Sequence, residues 1–376
     1  MHSAVRLADL LDRRRAEVPG LSAVAGFDGF VDELISVVGE RRGPGEWTPL
    51  GSMAELGAIL TATAGGSGRR EIVVRGQDAG GCAVKLGDGL ATLGVGLDYF
   101  GTVGQPRHPA FAAFAARCRT CTAWGTSYGR TLAFDFGDGT FCFPAVEQVG
   151  ELTPDLLVEA TADGAFARAC AGAGLISFNN WTQSHVTACW RWLQEHVLAG
   201  LEHRPWLYLD LVDPSGRSAS DVQAMLGAVA VFERTCRTVL SLNLAEVQVI
   251  VAALGLPAVA ASAEDLCRGA SAIRARLGIT QVVIHHRAFN AVATATGALA
   301  VASGPPCAQS RKSTDASERF NAGYCLGLLL GLDGEDCCHL GSATAGCFIR
   351  SARSADLEEV IAFLRAWAAG DAGRAC

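Results

Sequence analysis

Two segments of the sequence place carboxylates or glycines where an apolar run ends, and ligands bind at such places in open α/β sheets. In the first segment, Asp28 and Asp32 follow an apolar run and could accept hydrogen bonds from substrate hydroxyls. The simpler alternative, which this segment alone favours, is that Asp28 makes a turn and Asp32 caps a helix. In the second segment, Gly80 and Gly81 open a predicted helix, where a ligand could approach the backbone and an anion could meet the helix start. An ordinary loop-to-helix junction is the alternative there.

Two further segments could hold a cation or move a proton. Asn243 ends an apolar run, and Glu246 falls in the first turn of the next predicted helix. An amide and a carboxylate three residues apart share a helix face and could order water around Mg²⁺, although a capping box has the same spacing. The segment Asp315–Glu318 precedes an apolar helix. A carboxylate in the first turn, beside an anion at the positive helix end, could accept a proton from a hydroxyl.

The composition excludes several classes of protein. Of 376 residues, 50% are hydrophobic and 18% are charged, which excludes a disordered chain and a small disulfide-stapled module. The formal net charge is −7, and no basic cluster indicates nucleic acid as a partner. No apolar run reaches the roughly 20 residues that span a bilayer, so no membrane partner is expected. Cysteines inside apolar runs and a polar N-terminal segment predict a reduced, cytoplasmic protein, and no cysteine or histidine set has the spacing of a structural metal site.

The rest of the sequence predicts the framework that would position these residues. Short continuous apolar runs alternate with helical patterns, which predicts a doubly wound, mostly parallel sheet with helices on both faces. The predicted strands are Leu21–Phe27, Leu97–Val103, Gly174–Phe178, Trp206–Val212, Arg237–Leu242 and Gln281–His285. Residues 33–75 and 122–144 break this rhythm and predict a small β lid, the second segment through an Asp-Gly hairpin turn at Asp138. We expect one domain over residues 1–376, with the lid segments inserted in it.

The four segments, in this order, resemble the ribokinase-like (PfkB) sugar kinase family over nearly the whole chain. The resemblance rests on Gly80-Gly81, Tyr99–Gly104, Asn243-x-x-Glu246 and Phe320–Gly323. It implies a three-layer α/β/α fold with a central, mostly parallel sheet and a β lid over the sugar site. It also implies ATP-dependent phosphoryl transfer, with Mg²⁺, to a hydroxyl of a sugar or nucleoside. A homodimer formed through the lid is allowed by analogy.

The resemblance also implies roles for individual residues on the substrate side. Asp32, Gly80 and Gly81 match the substrate-binding positions, and Asp28 lies nearby. Lys85 stands where family members often carry Asn, and it could bind an acidic or phosphorylated substrate. The alternative for Lys85 is a solvated lysine on the second turn of a helix. The chain contains one other lysine, Lys312.

On the phosphate side, the resemblance implies that Asn243 and Glu246 place Mg²⁺ and the phosphates. A nucleotide loop falls at His285, His286 and Arg287, where the bulky side chains could narrow a purine site or contact phosphate. The family's Gly-Ala-Gly-Asp loop supplies an anion hole and a catalytic base, and the residues aligned with that loop are Asp315, Ala316, Ser317 and Glu318.

This loop departs from the family pattern. Asp315 would put a negative charge where the transferred phosphate sits, and two bare charges at 4 Å cost about 4 kcal/mol at an effective dielectric of 20. Ser317 penalises any positive φ that the loop requires. A capping box between Asp315 and Glu318 is the structural alternative. Two hypotheses follow: an active kinase in which Glu318 is an atypical base, or a catalytically impaired relative that binds a small molecule or regulates a partner.

Overall fold

The computed structural model describes residues 2–184, 186–297, 299–307, 310–312 and 314–372. Within them the strands are β1 Ser22–Gly26, β2 Phe30–Gly43, β3 Glu46–Pro49, β4 Ile72–Gly80, β5 Gly96–Gly101, β6 Thr120–Ala123, β7 Gly129–Phe136, β8 Gly139–Ala145, β9 Leu175–Asn179, β10 Trp206–Asp210, β11 Arg237–Asn243, β12 Gln281–His285, β13 Phe289–Thr294 and β14 Leu299–Ser303. The α-helices are α1 His2–Arg14, α2 Met53–Thr63, α3 Cys82–Thr92, α4 Ala112–Arg117, α5 Pro154–Ala160, α6 Ala165–Gly172, α7 Trp181–Ser184, α8 Thr187–His196, α9 Ala219–Phe232, α10 Leu244–Ala253, α11 Ala263–Leu277, α12 Ala316–Leu329, α13 Gly334–Ser351 and α14 Leu357–Ala368.

The main sheet has nine strands in the described part of the chain, in the order β14-β13-β12-β11-β10-β9-β1-β5-β6. The strands from β12 to β6 pair in parallel, and β13 and β14 continue the sheet antiparallel. All six apolar runs predicted as strands lie in this sheet, with ends that differ by at most a few residues. Continuous apolar runs form such strands because helices cover both faces of the sheet. The predicted ribokinase-like α/β/α fold is confirmed.

Two hydrophobic cores, one on each face, hold the sheet between layers of helices. One core joins the sheet to α1, α3, α12, α13 and α14. The other joins it to helices between α5 and α11. Cysteines fill space in both cores: Cys170, Cys189, Cys236 and Cys325 are buried thiols without a disulfide partner, which is the packing role that reduced cysteine favours. Among the described helices, none is both long and apolar enough to cross a membrane.

The lid is a second sheet in which β3 and β4 pair with β2, β2 pairs with β7, and β7 pairs with β8. Its strands span residues 30–49, 72–80 and 129–145, and α2 crosses between them. The predicted segments 33–75 and 122–144 overlap these ranges but end elsewhere, because β2 continues directly from the turn after β1. Residues 122 and 123 belong to β6 of the main sheet.

Parallel pairing explains how distant segments meet. The carboxyl ends of β1, β9, β10, β11 and β12 lie along one edge of the sheet. In register, Asp210 of β10 lies beside Asn179 of β9, and Asn243 of β11 lies beside His285 of β12. Helix α12 begins at this edge and packs on α13 so closely that a Cβ on Gly323 would lie 2.4 Å from Oγ1 of Thr344. Only glycine permits that approach, so Gly323 allows α12 to lie close against α13.

Candidate active site

Asp28 caps helix α3. Its carboxylate accepts hydrogen bonds from the backbone N–H of Cys82 at 2.7 Å and of Ala83 at 2.8 Å, and from Nδ2 of Asn180 at 2.9 Å. The phenol of Tyr99 donates to the carbonyl of Asp28 at 3.0 Å. Burial raises the pKa of Asp28 even though these donors favour the charged form. The carboxylate of Asp28 therefore connects the loop after β1 to the start of α3 and to the residue that follows β9.

Gly80 and Gly81 are needed because the two aspartates lie directly against them. A Cβ on Gly80 would lie 2.2 Å from Oδ1 of Asp32. Gly81 has φ +94°, and a Cβ there would lie 2.8 Å from the carbonyl oxygen of Asp28. Both glycines thus allow the chain that leads into α3 to pass against the loop that follows β1.

Asp32 lies at the base of the lid and faces Lys85. Its Oδ2 is 3.4 Å from Nζ of Lys85, and it hydrogen-bonds Thr131 of the lid strand β7. Burial raises the pKa of Asp32, while Lys85 opposes that rise. Asp32 is a strand residue and does not cap a helix, so that alternative is wrong.

Lys85 lies between two carboxylates. Its Nζ is 3.1 Å from Oδ2 of Asp315 as well as 3.4 Å from Asp32, and its side chain is 9% exposed. Burial lowers the pKa of Lys85, but the charges of Asp315 and Asp32 outweigh burial and raise it. The alternative of a solvated lysine is therefore wrong. Lys85 connects the lid base to the start of α12.

Asp315 lies at the start of α12 and forms ion pairs with two lysines. Its carboxylate also pairs with Nζ of Lys312 at 2.8 Å. Although burial opposes ionisation, Lys85 and Lys312 lower the pKa of Asp315 to about 2. The repulsive bare charge expected from the sequence is therefore compensated in the structure by two cations.

The capping box between Asp315 and Glu318, which was the structural alternative for this loop, is absent. Asp315 precedes α12 in the left-handed region, with φ +70° and ψ 8°, and its side chain makes no capping hydrogen bond. Aspartate tolerates this region better than most residues do. Ser317, within the first turn of α12, does not carry the positive φ, so the expected penalty at Ser317 does not arise.

Glu318, in the first turn of α12, faces the start of α3. Its Oε1 accepts from the thiol of Cys82 at 3.4 Å, and its Oε2 accepts from the hydroxyl of Ser317 at 3.2 Å. Burial raises the pKa of Glu318, and the negative charge of Asp315 raises it further. A carboxylate with a raised pKa is a stronger base once it is deprotonated.

Asn243 and Glu246 do form the capping box that their spacing allowed. The side chain of Asn243 accepts from the N–H of Glu246 at 3.0 Å, and Glu246 accepts from the N–H of Asn243 at 2.8 Å. Burial, and next the charge of Asp210, raises the pKa of Glu246 to about 8. The cap and a ligand role are compatible, because the cap holds Glu246 at the sheet edge beside other carboxylates.

Asp210 is a site residue that sequence reasoning missed. Burial, and next the charge of Glu318, raises its pKa to about 7. Nδ2 of Asn321 donates to Asp210 at 2.5 Å, and Oδ1 of Asn321 accepts from Tyr208 at 2.6 Å. The sequence does contain a signal for Asp210, because this residue lies at the end of an apolar run, where ligands bind in open α/β sheets. Asp28 was identified from the same kind of position. Asn180 was also missed, and it holds Asp28.

A cleft of approximately 470 Å³ joins the predicted nucleotide segments to the start of α12. The residues that line it include Asn243, His285, His286, Arg287, Ala316 and Ser317, followed by Phe320 and part of α13. His285 lies against the ring of Phe320, with 5.3 Å between ring centroids, and burial lowers the pKa of His285 to about 4. A neutral imidazole beside an aromatic ring suits a flat ligand.

These distances place the predicted residues in two connected regions. One region lies under the lid and contains Asp32 and Lys85. The other is the cleft at Asn243, and the first turn of α12, with Asp315 and Glu318, lies between them. The fold of the described residues, a mostly parallel nine-strand sheet between two layers of helices, is that of the ribokinase-like class.

Comparisons with known proteins agree with this class. The family model of the prokaryotic ketohexokinases matches residues 5–367. The chain is 24% identical, over 366 residues and 96% of each chain, to a ketohexokinase of Haloferax volcanii. Among solved structures it resembles a fructokinase with bound ATP from Xylella fastidiosa (TM-score 0.64, 14% identity, 92% of this chain and 99% of that chain) and a ribokinase from Thermotoga maritima (TM-score 0.62, 14% identity, the same coverages). The chain belongs to the prokaryotic ketohexokinase family, a family of sugar kinases.

Proposed function

We propose that this chain transfers the γ-phosphoryl group of ATP to a hydroxyl of a ketohexose. The observation that carries the proposal is the position of Glu318, at the start of α12 between the lid base and the cleft. The name of the Haloferax volcanii relative supports a ketohexose as the acceptor.

The residues of the cleft fit a nucleotide. A flat base can lie among His285, Phe320 and the segment around His286 and Arg287, while the phosphates extend toward Ala316. Helix α12 has 14 residues, so its first amides provide a positive end for phosphate oxygens.

The carboxylates at the sheet edge fit a magnesium ion by their chemistry. Burial raises the pKa of both Asp210 and Glu246, and the charge of Asp210 raises that of Glu246 further, so a divalent cation between them and the phosphates would stabilise their charged forms. Mg²⁺ commonly binds through one or two carboxylates together with substrate phosphates and water. Among the described residues, no group of three or more acidic, histidine or cysteine side chains could hold a metal alone. When bound, Mg²⁺ would neutralise charge on the phosphates.

The sugar side is built around Asp32. We assign Asp32 to binding sugar hydroxyls under the lid, with the backbone of Gly80 and Gly81 beside it. Asp28 holds α3 in place through its capping bonds. Lys85 is already paired with two carboxylates, so we assign it to fixing Asp32 and Asp315 rather than to binding an acidic substrate.

In the transfer step, the sugar hydroxyl oxygen forms a bond to the γ-phosphorus while the bond from that phosphorus to the β-phosphate oxygen breaks. The hydroxyl proton passes to Glu318, and ADP leaves with the bond's electron pair. Glu318 later releases the proton to water. Most of the catalysis in such a transfer comes from positioning and charge stabilisation. Burial and the charge of Asp315 raise the pKa of Glu318, which makes the deprotonated carboxylate a stronger base.

The test is ATP turnover with a panel of ketohexoses, aldohexoses, pentoses and nucleosides, with the phosphorylated product identified. We expect a ketohexose to give the highest kcat/KM. Glu318→Gln should lower kcat by at least about 100-fold, as expected for loss of a general base. Glu202→Gln, on an exposed loop, is the matched control and should leave kcat unchanged. Nucleotide binding by calorimetry without turnover of any sugar would favour the catalytically impaired alternative.

The predicted lid-mediated homodimer has one supporting feature. Ile72 and Val74 of β4 and Phe141 and Phe143 of β8 expose 44–52% of their surface. Exposed apolar side chains of this size mark interaction surfaces in many proteins. Sedimentation of the wild type and of Phe141→Ser/Phe143→Ser tests the pairing, and a dimer that survives this change would place the interface elsewhere.

A further inference from the structure

Both lysines of the chain meet at a single carboxylate. The sequence contains 31 basic residues besides histidine, and only Lys85 and Lys312 among them are lysines. Their Nζ atoms lie 3.1 Å and 2.8 Å from the same Oδ2 of Asp315. The rest of these basic residues are arginines. Both lysines of the chain therefore lie at the start of α12.

The two lysines differ in how firmly they are held. Lys85 is 9% exposed and lies between Asp32 and Asp315. The side chain of Lys312 is 34% exposed, and among the described residues Asp315 is its only ion-pair partner. Its Nζ also lies 5.8 Å from the centroid of the Phe348 ring. A lysine ammonium has three N–H donors, so Lys312 can keep Asp315 and still donate to a second anion.

Lys312 lies where the two regions of the site meet. Its neighbour Arg311 donates its backbone N–H to the carbonyl of Ile349 at 2.7 Å, and Ile349 lines the cleft. On the lid side, burial raises the pKa of the Cys142 thiol and the positive charge of Lys312 opposes that rise, so Lys312 lies near this lid strand. The ammonium of Lys312 is therefore held beside the first turn of α12, between the cleft and the lid.

We propose that Lys312 binds the transferred phosphoryl group, and that Asp315 is the positioning residue that holds Lys312 for this contact. The proposal rests on the proposed function and adds a charged group to a phosphate site otherwise made of helix amides. Asp315, at φ +70°, turns its carboxylate away from the amides of α12 and toward the lysines. Lysine binds phosphate as a compact point charge, which suits a phosphoryl group that moves from donor to acceptor.

The presence of only two lysines permits a direct spectroscopic test. Protein labelled with ¹³C at lysine Cε gives two lysine signals, which Lys312→Arg assigns by removing one. Saturation with Mg²⁺ and a β,γ-imido analogue of ATP should shift the Lys312 signal more than the Lys85 signal, and ADP should shift it less than the analogue does. If calorimetry shows that the analogue binds while the Lys312 signal stays in place, the inference is overturned and nucleotide binding stands. If neither nucleotide binds, the proposed function itself fails.

Kinetics provide a second readout. With the wild type shown to phosphorylate a sugar, Lys312→Met should lower kcat at saturating sugar and ATP by at least about tenfold, as loss of a charge-stabilising donor does. The sugar KM should stay within about twofold, because Lys312 does not contact Asp32. Lys312→Arg should recover most of the loss. Arg311→Met, which removes a neighbouring positive charge, is the matched control. An equal loss in Arg311→Met and Lys312→Met, or no loss in Lys312→Met, contradicts the proposal.

Discussion

Replacing Lys85 by Met removes the charge that joins Asp32 to Asp315 and keeps most of the volume of the side chain. Breaking a buried ion pair by removing one partner costs about 3–5 kcal/mol. Here Asp32 and Asp315 are 24% and 19% exposed, and Asp315 keeps Lys312. We therefore expect Lys85→Met to lower the free energy of unfolding by about 2–3 kcal/mol near pH 8, because water screens part of the charge.

The decrease in unfolding free energy caused by Lys85→Met should become smaller as the pH falls. Without Lys85, the pKa of Asp32, already raised by burial, rises further, so the folded variant takes up a proton at a higher pH than the wild type does. Each proton taken up changes the difference in unfolding free energy by about 1.4 kcal/mol per pH unit. At about pH 5.5 the loss should therefore be smaller than at about pH 8. Asp32→Asn combined with Lys85→Met should recover a similar amount near pH 8, because no carboxylate is left without its partner.

Urea titration followed by circular dichroism measures these differences. Arg117→Met is the control, since Arg117 pairs with Asp88 at 2.8 Å but is 49% exposed. Such an exposed pair contributes at most about 1 kcal/mol. A loss for Lys85→Met no larger than that of Arg117→Met, or an equal loss at both pH values, would refute the view that Lys85 is a structural bridge.

Three further predictions follow from the geometry. Gly81→Ala should destabilise the protein by more than Gly65→Ala, because both glycines have positive φ but only at Gly81 does a Cβ overlap other atoms; thermal unfolding compares them. Asp315→Asn keeps a residue that tolerates positive φ and removes the charge that raises the pKa of Glu318, so the acidic limb of the kcat/KM profile should move to lower pH. Burial raises the pKa of Asp210 to about 7 in the folded chain, whereas the unfolded chain releases this proton near pH 3.8. The metal-free protein should therefore lose stability as the pH rises from about 4 to about 7. In urea titrations, Asp210→Asn should reduce this loss of stability.

The sequence predicted the sheet well because its strands are continuous apolar runs, buried on both faces. It also predicted which segments meet, since the carboxyl ends of parallel strands share one edge. Asn243 and His285 are adjacent in register for this reason. The lid boundaries were harder to predict, because lid strands such as β4 are largely exposed and their composition differs little from that of loops.

Charge pairing was not accessible from the sequence. Lys85 and Asp315 are separated by 230 positions, and no local pattern links them. The alternative of a capping box at Asp315 is wrong for a related reason. The D-x-x-E pattern describes only spacing, whereas a cap requires extended backbone at the first residue. Asp315 adopts the left-handed region instead. At Asn243 the same spacing comes with φ −86° and ψ 174°, and the box forms.

Asp315 stands where the family loop has a glycine, and its negative charge alone would suggest that the loop repels phosphate. The two lysines paired with Asp315 change this electrostatic effect. An isolated aspartate at the start of α12 would repel a phosphate by about 4 kcal/mol at 4 Å and an effective dielectric of 20. With Lys85 and Lys312 attached, the group of three carries 2 − 1 = +1. Lys85 shares its charge with Asp32, so the part of this charge that is available to a ligand lies on Lys312, the more exposed of the two lysines. The loop then attracts an anion through a side chain held by Asp315. Removing Asp315 alone would release Lys312 from the position that makes this attraction directional, whereas Lys85 would keep its pairing with Asp32.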